Sequence, residues 1–202
     1  MARIIDDSGS ETKLILDPHP DELETLERAA DSWDREIAFG IQGRCGCRAH
    51  EVPSVRVGEW RWSDSADSWF AEVRGKDTTG GERKTREVWV PDQLMRQLQR
   101  FASERGLETG DPVIDVSTST IRRWVHETAA AVDDDPRADI RHVDQLSSHD
   151  LRRSWVTYHL VERGADVRTM MAIGGWSSYQ AIEPYLGAPT DSKIGRVMAS
   201  TD

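Results

Sequence analysis

Apolar residues recur along the chain with two periods, and the switch between them divides it into helical and extended stretches. Residues 1–17 have no strong period and are expected to be a flexible lead-in. After Pro18 and Pro20, the acids Asp21, Glu22 and Glu24 sit where negative charge favours a helix N-terminus. Leu23, Leu26, Ala30, Trp33 and Ile37 then recur at helical spacing. This predicts one amphipathic helix ending near Gly40 or Gly43, then a second short helix over 47–52 that Pro53 ends. The stretches 55–62 (VRVGEWRW), 68–74 (SWFAEVR) and 86–90 (REVWV) are rich in β-branched and aromatic residues and partly alternate. With a turn-like 63–67 and a glycine-rich TTGGE between them, three short antiparallel strands are the simplest account.

From Pro91 the helical period returns. Leu94, Leu98 and Phe101 form one stripe, and Ser117 caps a second that carries Ile121, Trp124, Val125, Thr128 and Val132. The loop DDDPRAD follows. A third helix begins near Ser148 and stops at Gly164, Asp166 caps a short helix up to Gly174-Gly175, and brief helices run through Tyr185 and again over 189–199. The expected fold is therefore mainly α with a small three-stranded antiparallel β-sheet. Its 202 residues suit a single domain, here 18–202, with a core of ordinary size.

Composition narrows the function classes. No run of about 18 apolar residues occurs and the first residues lack a cationic or hydrophobic leader, so a soluble cytoplasmic protein without membrane contact is expected. Cys45 and Cys47, one residue apart, are badly spaced for a disulfide and suit a reducing compartment. With His50 they would supply three metal ligands where structural zinc takes four, so packing is the simpler role. Asp and Glu number 36 against 26 Lys and Arg, a net charge of -10, and only four of those cations are lysine. Either the acidic excess excludes polyanions, or it adapts the surface to a very salty cytoplasm, where screening falls to about 3 Å at 1 M salt. Lysine poverty beside abundant arginine favours the halophile reading, under which a polyanion would need to meet only local arginine clusters.

One pair of residues carries chemistry. In His149-Asp150-Leu151-Arg152 an imidazole and a guanidinium three residues apart project from one helix face near its N-terminus, where both can reach one anion. Such a pair alone is common. Here Trp176 follows a Gly-Gly turn and Tyr185 lies nine residues beyond it. Upstream, GCRAHEV (46–52) precedes the strand region, and Gly75-Lys76 opens the loop before the last strand.

Together these motifs, in this order, resemble the tyrosine recombinase (phage integrase) family, with XerC/XerD-like relatives, over residues from about 20 to 199. The resemblance implies a catalytic domain whose site comprises Arg48, Lys76, His149, Arg152, Trp176 and Tyr185, with Glu51 as a buttressing acid. It implies DNA cleavage by Tyr185 through a covalent 3′-phosphotyrosyl intermediate, with no metal or nucleotide cofactor, serving site-specific recombination (integration or excision). The chemistry asks for such a set. Two arginines can stabilise the charge that builds on a phosphate under attack, a lysine can protonate the leaving 5′ hydroxyl, a histidine can take the phenol proton, and an indole N–H can donate. A phosphotyrosine conserves the bond energy, so rejoining needs no ATP.

Rival residues remain. Tyr158 and Tyr179 compete with Tyr185, and Lys84 shares the loop of Lys76; Trp60, Trp62, Trp69 and Trp89 read as sheet residues packed under helices, and His50, His126, His142 and His159 as solvent or core. Arg153 stands where many members carry histidine and is expected to touch phosphate or face solvent. Pro184 would put Tyr185 on a kinked segment. The resemblance further implies double-stranded DNA as partner, a homo-tetramer on DNA using a C-terminal helix around Ile194 and Val197, and an accessory DNA-bending protein. Relatives add an N-terminal clamp that residues 1–17 cannot supply, so a fragment or a minimal integrase is expected. The leading setting is a mobile element, virus or plasmid of a halophilic archaeon. Nicking and closing of the type IB topoisomerase kind, a non-catalytic or regulatory DNA-binding relative, and an acidic interaction module are the alternatives; strand exchange, covalent adduct formation and DNA binding at high salt respectively discriminate them.

Overall fold

The computed structural model describes residues 2–6, 13–17, 19–77, 83–186, 195 and 198–199. The expected C-terminal helix over 189–199 lies almost wholly outside them, as do the side chains of Lys76 and Lys84. Two strands open the chain, β1 (Arg3–Asp6) and β2 (Lys13–Ile15), and pair antiparallel. Helices α1 (His19–Ala29) and α2 (Trp33–Cys45) follow. Next comes the sheet of β3 (Trp60–Ser63), β4 (Ser68–Asp77) and β5 (Arg83–Val90), in that spatial order and all antiparallel. The rest is helical: α3 (Asp92–Arg105), α4 (Thr118–Asp133), α5 (Ser148–Thr157) continuing as a π-helical turn over Tyr158–Glu162, α6 (Val167–Gly174) and α7 (Tyr179–Ile182). The mainly α fold with a three-stranded antiparallel sheet is thus the observed one.

The sheet shows why alternation worked as a guide. Ala71 and Val73 of β4 and Val88 and Val90 of β5 are buried, and pack with Ile37, Ile41, Leu94, Leu98 and Phe101 of α2 and α3. Trp60 and Trp69 lean on this core, whereas Trp62 is 39% exposed and meets Trp69 edge to face instead of lying under a helix. Caps act at or beside the expected positions. Ser117 accepts from the Thr120 N–H and Asp166 from Thr169, while at α5 the cap is Ser147, one residue before the expected Ser148, in a reciprocal capping box with Asp150.

Four expectations change. The first strand of the sheet, expected over 55–62, forms only over Trp60–Ser63, with Arg56 in an isolated bridge to Pro112. The single helix from Pro20 is two, because Ser32 caps α2 by accepting from Arg35 and restarts the helix. No α-helix forms over 47–52. Gly46 ends α2 at φ 66, and the Glu51 carboxylate turns back to the Arg48 N–H at 2.6 Å, a local bond that competes with helix before the 3-10 turn Val52–Ser54. The lead-in is not a lead-in: Leu14 and Leu16 are buried, and their N–H groups donate to Asp150 (3.1 Å) and Ser154 (2.9 Å) of α5. Those partners lie far along the chain, where a local reading cannot reach. Truncation of Leu14 to Ala should therefore lower the unfolding free energy by about 2–5 kcal/mol in a urea titration, where a flexible lead-in would show no change.

Candidate active site

Three guanidinium groups and one carboxylate meet where the end of α2, the middle of β5 and the end of α6 converge. Arg152 projects from α5 and is 1% exposed. Its Nη1 donates to the Gly46 carbonyl at 2.5 Å and its Nη2 to the Gly174 carbonyl at 2.7 Å, while the Trp176 ring covers the guanidinium with its centroid 4.0 Å from Cζ. Burial, and then repulsion from Arg48 and Arg86, bring the Arg152 pKa down to about 9, which still leaves it charged at neutral pH. Gly46 is required here, since a Cβ on it would lie 2.2 Å from the Trp155 ring.

Glu51 organises the other two cations. Its carboxylate accepts from Arg48 Nη1 at 2.9 Å and from Arg86 Nη2 at 2.8 Å, with Arg86 Nε at 3.4 Å. Burial opposes ionisation of Glu51, but Arg86, the Arg48 N–H and the Arg48 charge together outweigh it and hold the carboxyl below its ordinary range. Arg48 keeps a third of its side chain exposed, at 34%, and with His50, Gly75, Arg86 and Trp176 lines an open cavity of about 500 Å³. Tyr185 lies in the 3-10 turn Glu183–Tyr185, where Pro184 follows the end of α7, and its half-buried ring meets Trp176 edge-on with centroids 5.5 Å apart.

The structure thus brings Arg48, Arg152, Trp176 and Tyr185 into one neighbourhood. Of these, Arg48 and Trp176 line the cavity, whereas Arg152 and Tyr185 adjoin it through Trp176; His149 is exposed on the first turn of α5 and does not line it. Lys76 stands at the end of β4, beside a bulge between Arg74 and Asp77. Arg153 neither faces solvent nor reaches toward the cavity. It is buried and paired with Asp150. The rival Tyr158 stacks on the buried His19, and Tyr179 is 57% exposed at the start of α7. His159 is packed among Trp89, Trp155 and Tyr158, and burial lowers its pKa to about 4. Cys45 and Cys47 are buried in the core beside the sheet, and burial pushes the Cys47 thiol up to about 12.

Arg86 was missed. Nothing adjacent to it in sequence marks it, and only the fold brings its side chain, 12% exposed, against Glu51. Replacing Glu51 by Gln should cost about 3 kcal/mol at neutral pH, because the largely buried Arg86 and the partly exposed Arg48 both lose their counter-charge. The folded-state pKa is depressed, so this stabilisation is present above the ordinary value of 4.5 and is lost as pH falls through the folded value. The gap in melting temperature between wild type and Glu51→Gln should accordingly close below pH 4.5.

Known proteins share this architecture. The solved XerA recombinase superposes with a TM-score of 0.64 at 23% identity, over 90% of this chain and 63% of its own. The Tn1549 transposon integrase in complex with transposon right end DNA gives 0.68 at 11%, over 98% and 68%. A lambda integrase dimer bound to a COC′ core site gives 0.60 at 15%, over 92% and 62%. The chain therefore spans roughly two thirds of the length of these solved proteins, and about half of the XerH site-specific recombinase, where it covers 52%. No curated protein matches it in sequence. The model of the phage integrase family matches residues 19–190, and the chain belongs to that family.

Proposed function

We propose that the chain is the strand-cleaving part of a site-specific DNA recombinase that links a DNA 3′ phosphate to Tyr185. The observation that carries this reading is an open cavity lined by Arg48, Arg86, Glu51 and Trp176, with the buried Arg152 guanidinium against the Trp176 ring and Tyr185 packed on the same indole. A site with two net positive charges calls for a dianionic or polyanionic guest, and a phosphodiester under attack gathers charge on the non-bridging oxygens that forked arginines match.

In the proposed reaction the Tyr185 hydroxyl attacks phosphorus, its proton passes to His149, and the bond to the 5′ oxygen breaks as Lys76 protonates the leaving group. Arg48 and Arg152 stabilise the pentacoordinate charge. Trp176 supplies an indole N–H or packs against the segment that carries the nucleophile, as its contact with Tyr185 supports. The reverse sequence, with a 5′ hydroxyl as attacker, reseals the strand. Kinship to XerC/XerD-like enzymes, action on a mobile element, assembly of a tetramer on DNA with a DNA-bending accessory protein, and a cytoplasmic setting in a halophilic archaeon complete the reading. The last rests on 36 acids against 26 cations of which four are lysine.

Incubation with nicked duplexes from DNA flanking its gene, at molar salt, should yield an SDS-resistant, protease-sensitive adduct that Tyr185→Phe abolishes and Tyr179→Phe retains. The opposite pattern would move the nucleophile to Tyr179. Tight DNA binding with no adduct on any flanking duplex would assign the chain a non-catalytic role.

A further inference from the structure

Arg86 binds at both of its ends. From β5, its Nη2 and Nε grip Glu51, and its Nη1 donates to the Ile173 carbonyl near the end of α6. Only 12% of the side chain is exposed. Glu51 passes the connection on, because its two oxygens accept from the Arg48 backbone N–H and from the Arg48 guanidinium. A single side chain therefore joins the turn that carries Arg48 to the turn that carries Trp176. The approach is close enough to dictate sequence: a Cβ on Gly175 would stand 2.5 Å from Arg86 Cδ and 2.9 Å from Nε, and Gly175 adopts φ 70.

We propose that Arg86 is a positioning residue for strand cleavage, holding Arg48 and the Gly174–Trp176 turn at a fixed separation so that Arg48, Arg152 and Trp176 address one phosphate together. This inference rests on the reading of the cavity as a phosphate site. The Gly174 carbonyl that receives Arg152 lies one residue after the Ile173 carbonyl that receives Arg86, so the two arginines hold the same strand of backbone from two sides. Both Arg86 contacts need a planar fork with donors pointing in different directions. A lysine ammonium at the end of a flexible stem offers charge without that geometry. Removing the fork leaves Glu51 held only by Arg48, and frees the α6 terminus to drift.

The expected consequence falls on the chemical step. DNA affinity comes from many phosphate contacts along the duplex, whereas misplacing a reacting group by about an ångström costs about 100-fold in rate. The test uses the full chain as wild type, Arg86→Lys, Arg86→Gln, Glu51→Gln and the double variant Arg86→Gln/Glu51→Gln. Single-turnover formation of the Tyr185 adduct is followed at saturating nicked duplex, alongside the dissociation constant by fluorescence anisotropy and the melting curve by circular dichroism.

Arg86→Lys and Arg86→Gln should each cleave about 100-fold more slowly while binding DNA within about threefold of wild type. Arg86→Lys keeps length and charge, so its melting transition should stay cooperative even if Arg86→Gln does not fold. The double variant should fall no further than the slower single variant, because both residues act through one linkage. A wild-type cleavage rate in Arg86→Lys would overturn the proposal, since the fork would then be dispensable. So would a loss seen in affinity and not in rate, or losses that multiply in the double variant. Failure of the wild type to form any adduct would overturn the phosphate-site reading, and this inference with it; an adduct from the wild type with unimpaired Arg86 variants would overturn the inference alone.

Discussion

The buried guanidinium of Arg152 is the constraint on which the rest of this structure depends. It joins α5 to the end of α2 through the Gly46 carbonyl and to the end of α6 through the Gly174 carbonyl, across sequence separations of 106 and 22 residues. Taking such a group out of water is costly unless its hydrogens find partners, and here it finds carbonyls and an indole face but no carboxylate of its own. Carbonyl oxygens solvate a cation without neutralising it. The charge is thus tolerated, with the nearby Glu51 offsetting part of the burial and the repulsion from Arg48 and Arg86.

The same economy explains how α5 is held. Asp150, fully buried, accepts from the Ser147 N–H and hydroxyl at the head of the helix, from the Leu14 N–H of β2 and from Arg153. One carboxylate thereby satisfies a helix terminus, ties down the N-terminal hairpin and neutralises a neighbouring cation. The histidine before it and the arginine two residues after it inherit the rigidity of that hub. Trp155, on the same helix, fixes its distance from α2 by packing on the Gly46 backbone.

What could be read from the sequence follows from which of these forces are local. Strand alternation in 68–74 and 86–90, the caps Ser117 and Asp166, and the stop at Gly164 are properties of adjacent residues, and each appears in the structure as expected. The His149–Arg152 spacing was visible because helical period places both on neighbouring turns. The strands β1 and β2 were not visible, being four and three residues long and stabilised by α5 more than a hundred residues away. Arg153 was expected to touch phosphate or face solvent because the carboxylate it pairs with, though only three residues distant, is itself buried by the fold. Arg86 escaped for the same reason. Its value lies in partners 35 and 87 residues away.

Net charge and local charge then need not agree. The chain carries -10 overall, yet Arg48 and Arg86 at the cavity and Arg152 against the Trp176 ring outnumber Glu51. Surface acids act on a distant polyanion through solvent, and salt of about 0.1 M already confines that repulsion to about 10 Å. A guanidinium group would act on an anion by contact, at hydrogen-bond distance and against a low-dielectric wall, where screening has little purchase. Many other arginines are occupied: Arg28, Arg44, Arg61, Arg100, Arg105 and Arg137 each pair with a carboxylate. Pairing silences those cations at range, so the site does not compete with a diffuse basic surface for the same anion. An acidic surface with a positive cavity sacrifices long-range attraction and keeps short-range recognition, a division that becomes more favourable as salt rises.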